Sequence, residues 1–375
     1  MARVSIKDVA EKAGVSTATV SHVINQTRFV SDETRDRVEQ AIKELNYQPS
    51  AIARGLATNA TQTIGLIISD ITNPFFTAVA RGVEDELNRH GYHTIFCNTD
   101  EDPEREDEYL RLLFAHHIDG LLIAPTGVES ERLSLMAAAD IPIVMLDRGT
   151  PGIEAPLVEV DNEAGGYHAT KYLLELGHRR IGVLRGLETI STQVVRVEGY
   201  RRALREAGLA VDESLIVRAD PHYHANQVFG FAGPEPTAPE FLTNLQMTPN
   251  AFNALQQLLD LPDRPTAIFV TNNQMTLGAL HALKQRNLLC PEDISIICFD
   301  DHDWAPLFSP PLTVVRQPTY HLGQAAAALL MDMINGVKIK LPAPLPVDLI
   351  VRESCRRLSA TAPVSGELIL ENSQA

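Results

Sequence analysis

From Ser16 to Thr27 the chain carries no acidic residue, and hydroxyls, amides and one imidazole are set among Val20 and Val23. Small neutral donors and acceptors of this kind suit a surface laid against phosphate oxygens and base edges, where a carboxylate would be repelled. Groups for bond-making chemistry are not organised in a comparable way. There is no G-x-S-x-G and no Walker-type phosphate loop. Cys97, Cys290, Cys298 and Cys355 are scattered without a C-x-x-C pair, and His222 and His224 form an H-x-H without further ligands. The sequence therefore predicts no enzyme, no metal and no cofactor.

The residues around that acid-free stretch must form a compact helical head. Ile6, Val9, Ala10 and Ala13 recur at the spacing of one helix face. Ser5 is placed as its N-cap with Asp8 three residues on, and Gly14 suits a left-handed C-terminal stop. Ser16 caps a second helix, Thr17 to Asn25, so two short helices joined at Gly14-Val15 describe a helix-turn-helix. A third helix, Asp32 to Leu45, follows Ser31, with Asp32 and Glu33 near the positive end of its dipole.

Beyond Thr61 the pattern changes to short apolar runs separated by amphipathic stretches. Ile64–Ser69, Thr94–Cys97, Asp119–Ala124 and Ile141–Asp147 read as strands, as do Arg180–Leu184, Ala267–Thr271 and Ile294–Phe299. Near-continuous apolar strands alternating with helices predict parallel sheets covered on both faces, in two doubly wound units. Residues 222–250 are rich in Gly and Pro and read as a long irregular insertion, and 359–375 as a disordered tail. At 375 residues, 45% apolar and 21% charged, the composition is globular and excludes a fibrous or disordered chain. The formal charge of −16 is uneven: residues 1–60 hold eight basic and seven acidic residues, and the remaining 24 basic against 41 acidic leave −17 on the body. A body so acidic disfavours indiscriminate coating of nucleic acid and leaves any DNA contact to the head. The N-terminus reaches Asp8 and Glu11 before any secretory apolar run, and no uncharged apolar run approaches membrane-spanning length, so a cytoplasmic protein is expected.

Several motifs together resemble a known family. Ser5-Ile6-Lys7-Asp8-Val9-Ala10, Gly14-Val15-Ser16-Thr17-Ala18-Thr19-Val20-Ser21 and Leu45-Asn46-Tyr47-Gln48-Pro49-Ser50-Ala51 resemble the N-terminal domain of the lactose/galactose repressor family of bacterial transcription regulators. The head is most similar to that of the purine repressor. The resemblance continues through Asn73-Pro74-Phe75-Phe76, Leu176-Gly177-His178-Arg179-Arg180-Ile181 and Pro291-Glu292-Asp293-Ile294-Ser295-Ile296, and covers residues 3 to 357. It implies an α/β chain: a helix-turn-helix head (1–47), a hinge helix and linker (48–60), and a two-lobed periplasmic-binding-protein-like body of doubly wound parallel sheets (61–358). The lobes are expected at 61–160 plus 293–320, and 161–290 plus 321–358.

For DNA, the resemblance implies that Thr17, Ala18 and His22 read base edges in the major groove while Ser16, Thr19, Ser21 and Asn25 position phosphates. Residues Pro49 to Leu56 match the family's hinge helix, in which small residues such as Ala53 let two copies approach in the minor groove and Leu56 is the wedge that kinks the duplex. Gly55 lowers the helix propensity there by about 1 kcal/mol against alanine. The body resembles periplasmic sugar-binding proteins, and against the ribose-binding member Asn73, Phe75, Phe76, Asp147, Arg148, Arg196, Asn272, Asp300 and Gln317 fall on sugar-holding positions. Many family members carry Asp after Asn where this chain has Asn272-Asn273, a departure that argues against a purine ligand. The reading is thus a homodimeric repressor of a palindromic operator, controlled by a ribose-like pentose or related carbohydrate. A cytoplasmic sugar-binding protein without DNA function is the alternative, and the Ser5 to Leu56 head speaks against it. The tail lacks the apolar heptads of a tetramerising coiled coil, and the sign of the ligand's effect stays open.

Overall fold

The computed structural model describes residues 4–25, 28–47, 60–219 and 249–358. The expected hinge helix with Ala53 and Leu56, the insertion from 222 to 248 and the tail from 359 lie outside the described residues. The chain divides into two compact units, Met1–Thr63 and Ile64–Ala375.

The small unit holds α1 (Ile6–Ala13), α2 (Thr17–Asn25) and α3 (Asp32–Glu44). The 6, 9, 10, 13 spacing places Val9, Ala10 and Ala13 against Val20 and Val23 of α2 and Val38 and Ala41 of α3, which form one small apolar core. At the start of α1 the Asp8 carboxylate reaches back and accepts both the amide and the hydroxyl of Ser5, each at 2.7 Å. Gly14 ends the helix at φ 66°, a left-handed position that a Cβ would strain. Ser16 caps α2 as expected, its hydroxyl accepting the Thr19 amide at 3.1 Å. Ser31 precedes α3, but its hydroxyl donates to the Thr34 hydroxyl at 2.9 Å instead of taking an amide. A Lys12–Glu44 ion pair at 2.8 Å ties α1 to α3.

The large unit contains two sheets. The first comprises β1 (Thr63–Ile68), β2 (His93–Asn98), β3 (Gly120–Ile123), β4 (Ile143–Leu146) and β5 (Leu157–Val158), in the order β2-β1-β3-β4-β5. The pairs β1–β3, β3–β4 and β4–β5 are parallel. It is flanked by α4 (Pro74–Arg89), α5 (Pro103–Ala115) and α6 (Glu131–Ala138). After α7 (Asn162–Glu175), the second sheet takes β6 (Ile181–Arg185), β7 (Ile216–Arg218), β8 (Ala267–Val270), β9 (Ser295–Phe299), β10 (Thr313–Arg316) and β11 (Asp348–Ile350), in the order β11-β10-β9-β8-β6-β7. Only its β10–β11 edge pair is antiparallel among the described strands. Helices α8 (Ser191–Glu206), α9 (Pro249–Leu259) and α10 (Asn273–Gln285) complete that lobe, and α11 (Thr319–Ile334) returns to the first. The apolar β-runs are buried along their length, as sheets covered on both faces require.

The lobe boundaries differ from the sequence reading. The sequence places residues 293–320 in the first lobe and 321–358 in the second. Instead β9 and β10 pair within the second sheet, and α11 packs on α4, where Leu322, Ala326 and Leu330 join Ile64, Leu66 and Val79 in the first lobe's core. Gly82 and Gly323 permit that helix contact, since a Cβ on either would overlap the other helix's backbone. A strand–helix alternation satisfies both-face burial in either sheet, so only the pairing register decides membership. The insertion also ends earlier than expected, because Pro249 and Asn250 already open α9, proline being tolerated in a first helical turn. Segments at 159–162, 317–319 and 335–347 pass between the lobes. The first and last run side by side through the Val160–Leu345 bridge.

Candidate functional site

On the head, Thr17 and Ala18 are exposed at the start of α2, while Val20 and Val23 anchor its other face in the core. Ser16 and Thr19 hydroxyls lie 2.9 Å apart, and Asn25 Nδ2 donates to Ser21 Oγ at 3.2 Å. The result is a ridge of hydroxyl, methyl and amide groups, with His22 half-buried on the same helix. A short helix of this kind, seated by two valines, presents its N-terminal residues as a helix-turn-helix reader does.

In the large unit, all nine residues expected to hold a sugar line one cleft between the lobes, with a cavity volume of about 80 Å³. The fold places them by one rule: the cleft lies at carboxyl ends of strands, where parallel α/β lobes bind ligands. Asp147 follows β4 and Asp300 follows β9, both with positive φ (63° and 76°) that aspartate tolerates better than most residues. Gln317 follows β10, and Asn272 follows β8 by two residues and caps α10, accepting the Met275 amide at 2.9 Å. Asn73 caps α4, accepting the Phe75 amide at 3.0 Å, and so brings Phe75 and Phe76 into the cleft, their rings edge to face with centroids 4.9 Å apart.

The charged groups are buried and interlocked. Arg196, on α8, donates from Nε to Asn162 Oδ1 at 2.8 Å and from Nη1 to the Thr271 carbonyl at 2.7 Å. Its guanidinium lies over the Phe299 ring, 3.6 Å from the centroid. Burial lowers its pKa, opposed by the Asp300 and Asp147 carboxylates. Arg148 donates to both Glu101 oxygens at 2.7 and 2.6 Å and to the Pro125 carbonyl at 2.6 Å, so its charge is largely committed to the protein. Burial pushes the Asp147 carboxyl above its usual range, against the pull of Arg148 and Arg196. Gln317 Nε2 donates to Asp300 Oδ1. Two carboxylates, three amides and a guanidinium with N–H groups to spare can take sugar hydroxyls in donor–acceptor pairs, while aromatic edges meet C–H surface.

Other lining residues were not singled out from sequence, among them Asp70, Glu101, Gln193, Asn273 and Gln274. Most sit just beyond strand ends, which was the available signal. Two of them join the lobes directly: Asn273 Nδ2 donates to Asn73 Oδ1 at 2.7 Å and Gln274 Nε2 to Asp70 Oδ2 at 2.5 Å. Among the described residues no cluster of three or more His, Cys, Asp or Glu could hold a metal, and no helix is long and apolar enough to cross a membrane.

Residues 5–50 match the family described as bacterial regulatory proteins, lacI family. Residues 61–229 match the periplasmic binding proteins and sugar binding domain of LacI family, and 170–355 a periplasmic binding protein-like domain. The chain is 37% identical to the HTH-type transcriptional repressor PurR of Photobacterium profundum over 95% of its own length and 99% of that protein's. It belongs to the lacI family of bacterial regulatory proteins. Its structure is similar to the Lac repressor dimer bound to operator and the anti-inducer ONPF, with TM-score 0.78, 27% identity, and coverage of 95% of this chain and 100% of that one. It is also similar to a LacI family transcriptional regulator from Enterococcus faecium with bound ribose, with TM-score 0.66, 30% identity, and coverage of 79% and 100%. As a lacI-family member it is a DNA-binding transcriptional regulator with a ligand-binding body, not an enzyme.

Proposed function

We propose that the protein is a cytoplasmic repressor that binds a near-palindromic operator as a homodimer and is controlled by an uncharged ribose-like sugar held between its lobes. The observation that carries the sugar reading is the convergence of Asn73, Phe75, Phe76, Asp147, Arg148, Arg196, Asn272, Asp300 and Gln317 on one cleft. The cleft's charge favours a neutral ligand: Asp70, Asp100, Glu101, Asp147 and Asp300 line it against only Arg148 and Arg196. A phosphorylated sugar would enter an excess of carboxylates, and like charges at close quarters cost several kcal/mol. Ligand that binds one lobe angle better than another shifts the population of angles and is linked by that amount to operator affinity.

A purine base is the second reading, favoured by relatives named PurR at 37% and 40% identity. Against it, Phe75 and Phe76 stand at 86° and offer no parallel-walled slot, and the face of Phe299 is occupied by Arg196. On the head, Thr17, Ala18 and His22 are proposed to read bases, and Ser16, Thr19, Ser21 and Asn25 to hold phosphates. Thermal-shift screening of pentoses, hexoses, sugar phosphates and purines tests the effector. Stabilisation by a pentose that Arg196→Ala abolishes supports the sugar, while stabilisation by purines alone refutes it. Mobility shift with a chain lacking residues 1–60 tests the DNA role, and undiminished operator binding would refute that.

A further inference from the structure

The two cleft cations are held in different ways. Arg196 donates to the Asn162 amide oxygen and the Thr271 carbonyl, whereas Nη2 of Arg148 donates to both oxygens of a carboxylate, Glu101, at 2.7 and 2.6 Å. Nε of Arg148 is taken by the Pro125 carbonyl at 2.6 Å, and Nη1 stands 3.8 Å from Asp147 Oδ2, beyond hydrogen-bond reach. Glu101 lies between β2 and α5 with φ 58° and lines the cleft beside Arg148. Glu106, a further carboxylate near this guanidinium, is turned to the Thr126 amide at 2.8 Å. Burial opposes the Arg148 charge, and Glu101, followed by Asp147 and Glu106, holds its pKa above the ordinary range. The Arg148 side chain is 4% exposed and that of Glu101 18%, so water screens their attraction weakly. Asp70, Asp100, Asp147 and Asp300 also line the cleft, but among the described residues only Glu101 is hydrogen-bonded to a cleft arginine.

A guanidinium offers a planar fork that carboxylate and phosphate groups fit through charge-assisted hydrogen bonds. Glu101 fills the Nη2 end of that fork, the place where an acidic group on a ligand would dock. We propose that Glu101 is a specificity-determining residue of the cleft, its carboxylate occupying Arg148 and so turning anionic sugars away in favour of neutral ones. The inference rests on the pentose reading and deepens it by naming the residue that sets the charge preference.

The test measures D-ribose, D-ribonate and D-ribose 5-phosphate by calorimetry on the full chain at constant ionic strength. The wild-type chain is expected to bind both anions more weakly than ribose. Glu101→Gln keeps the length and an acceptor but loses the charge. It should move the anion-to-ribose affinity ratio toward at least one anion by about tenfold or more, the scale of one charge-assisted hydrogen bond. Glu101→Asp withdraws the carboxylate by one methylene and suits a positive φ, so it should move the ratio in the same direction by less. Adding Arg148→Met to Glu101→Gln should erase the gain. Asp100, paired with Arg105, loses the same charge from the same wall in Asp100→Asn without touching Arg148, and the ratio should move by under about threefold. An unchanged ratio in both Glu101 variants, a gain that survives Arg148→Met, or an equal gain in Asp100→Asn overturns the proposal and leaves the pentose reading standing. A wild-type chain that prefers either anion to ribose overturns both, as does a chain that binds none of the three in any variant.

Discussion

Arg196 is the buried cation on which the cleft depends, and Arg196→Met isolates its charge. Methionine keeps much of the side-chain volume and a favourable contact with the Phe299 ring, so the packing loss is small. What disappears is the positive charge between Asp147 and Asp300 and the donors to Asn162 and Thr271. Breaking a buried ionic network by removing one partner costs about 3–5 kcal/mol. With a urea slope of about 2 kcal/mol per molar, that lowers the unfolding midpoint by about 2 M. Trp304, in the same lobe, reports the transition. The loss has a defined pH dependence. The Asp147 pKa is already raised by burial, so its contribution to stability is fully present below the ordinary carboxylate range and is lost as pH rises through the raised value. Arg196 lowers that pKa in the native protein, so without it the penalty for ionised Asp147 grows. The deficit of the variant should therefore be largest on the alkaline side of the raised value and shrink as pH falls toward the ordinary carboxylate range. An equal deficit at both ends of that range would show that Arg196 stabilises through its contact with Phe299 and its hydrogen bonds to Asn162 and Thr271, and would refute the account through Asp147.

Three further outcomes follow from the geometry. Gly166→Ala would drive a Cβ into the Arg196 carbonyl, so α7 and α8 must separate; a loss of about 1–3 kcal/mol in thermal unfolding and weaker ligand binding by calorimetry are expected. Asn273→Asp replaces the donor to Asn73 by a carboxylate, and the loss of that interlobe bond, about 1 kcal/mol, should open the lobes, seen as a larger radius of gyration in X-ray scattering. His178 is buried between Thr266 and the Arg356 carbonyl, and burial lowers its pKa, so its contribution to stability is full above the ordinary imidazole range and declines as pH falls below it. His178→Gln should be less stable at neutral pH and show a flatter decline of thermal midpoint in acid.

The head was readable because its instructions are local. Ser5, Asp8 and Gly14 act within one or two turns, and the 6, 9, 10, 13 spacing alone states which face is buried. Even there one cap was not readable: Ser31 forms a hydrogen bond to the Thr34 hydroxyl that its residue type allows but does not dictate. In the body, seven strands were visible as apolar runs, whereas β5, β7, β10 and β11 are two to four residues long and were passed over. The lobe boundary was misplaced because neither β9, which was visible, nor β10 carries a local signal of which sheet it pairs in.

Amino-acid order carried the class of the protein: a helix-turn-helix whose second helix is free of acids, the apolar runs of parallel α/β lobes, and an acidic body joined to a nearly neutral head. These are properties of residue type and short spacing, which the chain retains before it folds. Tertiary structure alone decided which sheet takes β9 and β10, that Arg148 is committed to Glu101, and that Asn273 and Gln274 bridge the lobes. Each depends on groups dozens to hundreds of residues apart meeting at hydrogen-bond distance, and no local preference encodes that distance.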